Sequence, residues 1–321
     1  MSPPKGTQAT RRGRIEATPP FDFGKSLDYL RAFPPTAMDQ AVAGDSFIKA
    51  FQIQGRTLAA SIEGSAFVDK ANLNNSNKGG TSLDQPHLNY TLFSDKSVSR
   101  ELESAFTERL SSMLSLADDL APFYALAKAD PQFQPIMQSL FGYHPVRFQS
   151  GFEAAVWAIL SQRNRMATAR NMYRSLVRSF GHTAEVDGVT CWAFPEPEEL
   201  AGCSEGDLAF VARNLRRGEF LIDAARAFTM VPPGFLDSAE YEEVKEWLRS
   251  INGIGPWSAS FVLWRGLGRS QTVPLPDRPF LDAASRVYGG GITLNDVEVL
   301  RIAQRYHPWQ GYWAHYLRIG A

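Results

Sequence analysis

The chain reverses direction at Gly253-Ile254-Gly255-Pro256. An apolar period of three to four residues runs from Tyr241 to Ile251, and a second runs from Ser258 to Gly266, so two helices meet here. Two glycines allow a tight turn and a close backbone approach. Pro256 falls where the second helix begins, a position that suits a residue without an N–H. The free amides at that helix start can hold a phosphate oxygen without reading base sequence. Ile254 is expected to plug the turn into a core. Taken alone, the same residues also suit an ordinary helix–turn–helix with a glycine cap.

The rest of the sequence divides at a change of period. Phe47-Ile48, Ala50 to Ile53 and Leu58 to Ile62 suit short strands around a turn at Gly55-Arg56, and Leu88 to Phe93 alternates like another strand. Residues 72–80 suit a polar loop. From Val98 onward the spacing of Leu102, Phe106, Leu110, Met113 and Leu114 is helical. Further apolar stripes follow at Phe152, Val156, Ile159 and Leu160 and at Met172, Tyr173, Leu176, Val177 and Phe180, with Gly181 as a stop. The expected fold is α+β: a disordered basic tail over 1–18, a small mixed, β-containing domain over 19–110, and a mostly α-helical domain over 111–321 with the hairpin near 248–266.

Composition removes several classes. A hydrophobic fraction of 44% suits a globular chain. A net charge of −1 argues against an indiscriminate nucleic-acid coat, which needs clustered Lys and Arg. The two cysteines, Cys191 and Cys203, have no zinc spacing and are too few for a four-cysteine iron–sulfur cluster. No apolar run approaches about 18 residues, and the N-terminus has no signal-peptide core, so an intracellular protein without a membrane span is expected.

After the hairpin comes Val273-Pro274-Leu275-Pro276-Asp277-Arg278-Pro279-Phe280. The two prolines keep the approach extended, and Asp277 precedes a helical pattern at Phe280, Leu281, Ala284 and Val287. Asp277 can cap that helix, whose positive end favours a carboxylate. Capping alone would account for an Asp there. Asp282, five residues on, falls on another face and is a weaker candidate for chemistry.

Together, the hairpin, the twenty-residue gap from Trp257 to Asp277 and the aliphatic–Pro–Asp approach resemble the helix-hairpin-helix DNA glycosylase superfamily, most closely its bacterial 3-methyladenine branch. Phe152 to Gln162, Cys191 to Pro197, and Pro308-Trp309 with Tyr312 extend the resemblance over 145–321. It implies an enzyme that hydrolyses the N-glycosidic bond of a damaged base swung out of duplex DNA, an N-alkylated purine in that branch, with Asp277 as the catalytic carboxylate. Trp257 stands where bifunctional members carry a lysine nucleophile, so lyase activity is not expected. The pocket is expected to use Trp257, Phe261, Tyr316 and Arg318, although Trp257 also suits plain core packing. Gly253, Ile254 and Gly255 would hold the backbone of the DNA. Gln162, Arg163, Asn164 and Arg165 lie at the expected interhelix turn and would fill the gap left by the extruded nucleotide. Arg163 replaces the aliphatic wedge of that branch, and Arg318 replaces its C-terminal tryptophan.

Arginines cluster near this surface: 147, 163, 165, 170, 174 and 178 stand against Glu153 alone. A solvated helix face would explain Arg170, Arg174 and Arg178 equally well. His144, His307 and His315 have no nucleophile in sequence reach and suit structural or surface roles. No metal or redox cofactor is required. The resemblance carries the expectation of a monovalent cation on hairpin carbonyls. A monomer acting on damaged double-stranded DNA is expected. A helix-hairpin-helix module that binds distorted DNA without cutting, and a glycosylase for oxidised or deaminated bases, stay open as alternatives.

Overall fold

The computed structural model describes residues 8–33, 39–64, 85–186 and 188–321. The expected polar loop at 72–80 and the first seven residues lie outside them.

Five antiparallel strands form the N-terminal sheet in the order β1-β5-β4-β3-β2: β1 (Gln8–Glu16), β2 (Gln40–Ala43), β3 (Ser46–Ile53), β4 (Arg56–Gly64) and β5 (His87–Ser94). The β3–β4 turn falls at Gln54-Gly55, both with positive φ, one residue before the expected place. Helix α1 (Phe23–Ala32) precedes β2, and α2 (Arg100–Leu114) lies across the sheet, where Phe106 meets the rings of Phe51 and Tyr90 at 5.3 Å.

Part of the segment expected as a disordered tail is a strand. Residues 8–16 pair with β5 from Gln8↔Ser94 to Glu16↔His87, and Arg11 Nε meets Glu103 at 2.5 Å. Charged side chains are what an edge strand shows to solvent, which is why Arg12-Gly13-Arg14 read as a tail. The apolar core of the sheet continues through Leu116, past the boundary expected at 110.

The rest is helical, with one exception. A hairpin of β6 (His182–Val186) and β7 (Val189–Ala193) packs against β3 beside the connector Phe194-Pro195-Glu196-Pro197. Around it lie α3 (Ala121–Lys128), α4 (Gln134–Ser139), α5 (Gly151–Ser161), α6 (Met166–Phe180), α7 (Pro197–Ala201), α8 (Glu205–Ala212), α9 (Leu215–Met230), α10 (Phe235–Ser238), α11 (Tyr241–Ser250), α12 (Pro256–Arg265), α13 (Arg278–Tyr288), α14 (Asp296–Ala303) and α15 (Gln310–Gly320). α5 is buried on every side from Gly151 to Leu160, as befits a helix with few polar residues. One core joins α5, α6, α8, α9, α11 and α12, and another joins α3, α4 and α13 to α15. Tyr29 of α1 packs against both, and against the core of the sheet. The two helical cores and the sheet domain therefore converge near one side chain.

Candidate active site

A cavity of about 290 Å³ opens at that junction. α1 contributes Tyr29 and its C-cap Phe33, α12 contributes Phe261, Trp264 and Arg265, and α15 contributes His315 and Arg318. Trp157, Met166, Val273, Pro274 and Phe280 complete the apolar wall, and Asp277 stands among them.

Asp277 sits there because its own chemistry ends the extended segment. It is the N-cap of α13: Oδ1 accepts from the Phe280 amide at 3.1 Å, with Pro279 in the first turn. Its other oxygen, Oδ2, accepts from Arg318 Nη1 at 2.6 Å. Only 9% of the Asp277 side chain is exposed, against 46% for Arg318. The carboxylate is thus fixed by two donors at a helix N-terminus, and it faces an aromatic chamber wide enough for a base. Asp282 turns away and pairs with Arg278 at 2.9 Å.

Behind it lies a polar group that sequence reasoning missed. Arg265 is the last residue of α12 and 5% exposed. Its Nη2 donates to Tyr29 Oη and to the Val146 carbonyl, both at 2.8 Å, and its Nη1 donates to His315 Nδ1 at 3.0 Å. Burial, then the charges of Arg265 and Arg318, holds the His315 imidazole well below its ordinary range. The ring is therefore neutral. With Nδ1 accepting from Arg265, the hydrogen resides on Nε2 and is donated to Tyr143 Oη at 3.1 Å. His315, expected to be structural or superficial, is part of the cavity wall.

The hairpin lies where α11 meets α12. Ile254 is 4% exposed and plugs the main helical core as expected. Gly253 has φ +87°, and a Cβ there would fall 2.4 Å from the ring of Phe220. Gly255 and Pro256 are exposed, and nothing lies within 4 Å of a Cβ at Gly255. The first amides of α12 have no intrahelical acceptor, so this end of the helix presents free N–H groups beside open space.

Four expected residues form the α5–α6 turn, but they are not equivalent. Gln162 Nε2 donates to the Gly253 carbonyl at 2.5 Å and to Ser258 Oγ at 3.3 Å, so it ties the turn to the hairpin. Asn164 Nδ2 donates to the Leu160 carbonyl at 2.8 Å and closes α5. Arg163 is exposed and holds φ +54°, a rare conformation for a residue with a side chain. Arg165 is also exposed, at the N-cap of α6. Of the four, only the two arginines make no side-chain hydrogen bond or ion pair among the described residues.

Two pocket assignments need correction. Tyr316 is fully buried, with its hydroxyl donating to the Tyr143 carbonyl at 2.5 Å and 3.2 Å from the hydroxyl of Tyr124. It points into the core of α3, α4 and α15, because one residue along a helix turns the side chain by about 100°. Trp257 does not line the cavity itself; it stacks on Phe261, with ring centroids 5.1 Å apart, and Phe261 does line it. Arg318 lines the cavity. Arg147 is not a surface arginine: it is 6% exposed and pairs with Asp118, which also accepts from Tyr312.

For a cation on hairpin carbonyls, two of the oxygens are already engaged. Gly253 O accepts from Gln162, and Ile251 O accepts from the Ile254 amide at 3.0 Å. Each of these oxygens keeps a second lone pair, so a cation on the hairpin carbonyls stays an expectation of the resemblance.

A helical domain of this build, with a glycine hairpin and a capped aspartate on an aromatic cavity, defines a class. Residues 156–313 match the HhH-GPD superfamily base excision DNA repair protein family, so the chain carries an HhH-GPD domain. Among its relatives is the DNA-3-methyladenine glycosylase of Bacillus subtilis, 29% identical over 204 residues, which span 63% of this chain and 67% of that protein. A second B. subtilis protein, YfjP, provisionally named a DNA-3-methyladenine glycosylase, is 25% identical over 319 residues and covers 95% of this chain and 97% of its own. The fold as a whole is that of the 3-methyladenine DNA glycosylase from Archaeoglobus fulgidus, with a TM-score of 0.75 at 20% identity over 95% of this chain and 97% of that one.

Proposed function

We propose that this protein is a monofunctional DNA glycosylase that hydrolyses the N-glycosidic bond of a damaged purine rotated out of duplex DNA. The observation that carries the proposal is the position of Asp277: a nearly buried carboxylate, fixed by the Phe280 amide and Arg318, on the wall of a base-sized aromatic cavity.

The duplex is held through phosphates by the amides at Gly255 and the start of α12 and by the exposed guanidinium groups of Arg163 and Arg165. Arg163 occupies the gap as the nucleotide leaves the stack, a movement that costs a few kcal/mol and least for a damaged base. The base stacks among Phe261, Phe33 and Trp157. As its bond to C1′ lengthens, positive charge develops on the sugar and Asp277 stabilises it. Water adds its oxygen to C1′, the departing base takes up a proton, and an abasic site remains. Among the described residues, no lysine lines the cavity. With no amine to form a Schiff base, the abasic strand stays intact. N-alkylated purines are the first lesion class to examine, because an aromatic wall attracts electron-poor rings and because of the names carried by the relatives.

Duplexes carrying single defined lesions test this directly, with strand cleavage scored before and after alkali. Breaks are expected only after alkali. Asp277→Asn keeps the helix cap, since Asn caps as well as Asp, and should lower base release at least about a hundredfold. Equal release by that variant, or strand breaks without alkali, would refute the reading.

A further inference from the structure

Arg265 has no part in the chemistry above, yet it is the most unusual charge in the cavity. Arg318 has Asp277 as its counter-ion, whereas among the described residues no carboxylate lies within salt-bridge distance of Arg265. Its buried charge is instead solvated by the Tyr29 hydroxyl, the Val146 carbonyl, the neutral His315 and the faces of Tyr29 and Phe33, 5.5 and 5.4 Å from the guanidinium carbon. Three of its five N–H donors are satisfied in this way. The Nε donor has no acceptor among the described residues, Nη1 meets only the His315 ring (Nδ1 at 3.0 Å, Nε2 at 3.4 Å), and the side chain lines the cavity.

A guanidinium can only donate. A base edge turned toward it must accept, and a donor placed there leaves both groups unpaired in a site where desolvation is costly. We infer that Arg265 is a specificity-determining residue that sorts extruded purines by the group at C6: 6-oxo purines (guanine-derived or hypoxanthine) are bound through the carbonyl oxygen, and 6-amino purines are disfavoured. The inference rests on the base-removal reading and narrows its substrate class. The stacked rings of Tyr29 and Phe33 lie beside the guanidinium, 5.5 and 5.4 Å from its carbon, so the N-terminal domain takes part in the selection.

Duplex DNA methylated with dimethyl sulfate carries 7-methylguanine and 3-methyladenine in one polymer, so it supplies both classes at once. The released bases are separated by chromatography, normalised to the amount of each lesion and corrected for spontaneous loss. A second duplex carries a single hypoxanthine. Arg265→Met is expected to lower the ratio of 7-methylguanine to 3-methyladenine release at least about tenfold. Hypoxanthine release should fall with it, while 3-methyladenine release is retained. A merely structural role would depress both bases together. An unchanged ratio in a folded variant overturns the inference, as does a wild type that releases 3-methyladenine and neither 6-oxo base. Should Arg265→Met fail to fold, Arg265→Lys keeps the charge on a shorter reach, and its ratio is expected to fall about fivefold; no change there also overturns it. Absence of any base release by the wild type defeats the base-removal reading itself, whereas release with unaltered selectivity defeats this inference alone.

Discussion

The two hairpin glycines make opposite predictions, and the pair separates a folding role from a binding role. At Gly253, φ is +87° and an added methyl would meet Phe220 at Cγ, Cδ2 and Cβ, 2.4 to 2.7 Å away. The left-handed backbone costs an alanine about 1–2 kcal/mol. Overpacking against a ring whose base cannot swing clear costs about 1–3 kcal/mol more. Gly253→Ala should therefore lose about 2–5 kcal/mol of unfolding free energy, a large part of a typical domain's stability. At Gly255 the backbone is extended (φ −83°, ψ −179°), a conformation open to any residue, and a methyl would meet nothing within 4 Å. Gly255→Ala should stay within about 0.5 kcal/mol of wild type. The methyl does, however, stand beside the amides offered to a phosphate. Losing one such charge-assisted bond should weaken duplex binding about tenfold or more. Urea unfolding followed by tryptophan fluorescence gives the first quantity, and titration of a labelled duplex at fixed salt gives the second. If Gly253→Ala unfolds with the wild type, or Gly255→Ala is equally destabilised while binding DNA normally, the assignment of the hairpin is wrong.

Two other substitutions test charges away from the cavity. Burial raises the Asp39 carboxyl to about 7, so the folded state holds a proton that the unfolded chain has released above about 4. That contribution to stability is complete below about 4 and is lost as pH rises through 7. The stability of Asp39→Asn relative to wild type should therefore improve by about 2–3 kcal/mol between pH 5 and pH 8, read from urea midpoints at the two values; a constant difference would contradict the burial. Arg147→Met leaves Asp118 with Tyr312 as its remaining partner and should cost about 1–3 kcal/mol, with duplex affinity of the remaining folded protein unchanged. A selective loss of DNA binding would instead return Arg147 to the nucleic-acid surface.

Much of the site could be read along the chain because its parts are local. The hairpin is one turn, and Asp277 is a cap signal four residues after the start of an extended Pro-containing approach. α15 shows where this reading fails. Arg318 and His315 lie three residues apart on the face that lines the cavity, while Tyr316 lies about 100° away in the core. An aromatic residue attracted the pocket assignment, although the helix face decides it. Arg265 carried no signal of its own, for an arginine at a helix C-terminus is ordinary until its surroundings prove apolar. Tyr29 and Phe33 were beyond reach for another reason: more than two hundred residues separate them from Arg265 and Asp277, and only the docking of the sheet domain brings them together. The same distance effect hid β1, whose partner strand begins some eighty residues later.

The placement of Tyr29 makes the chamber a joint property of two folding units. The residues proposed to grip DNA belong to the helical unit, while part of the cavity wall is lent by a helix from the sheet domain. Lesion preference can therefore drift through changes in α1, or through a slight rotation of the sheet, without disturbing the clamp or the carboxylate. Grafting the first hundred residues of a relative onto this helical unit would be a direct way to exchange substrate range while keeping the cutting machinery intact.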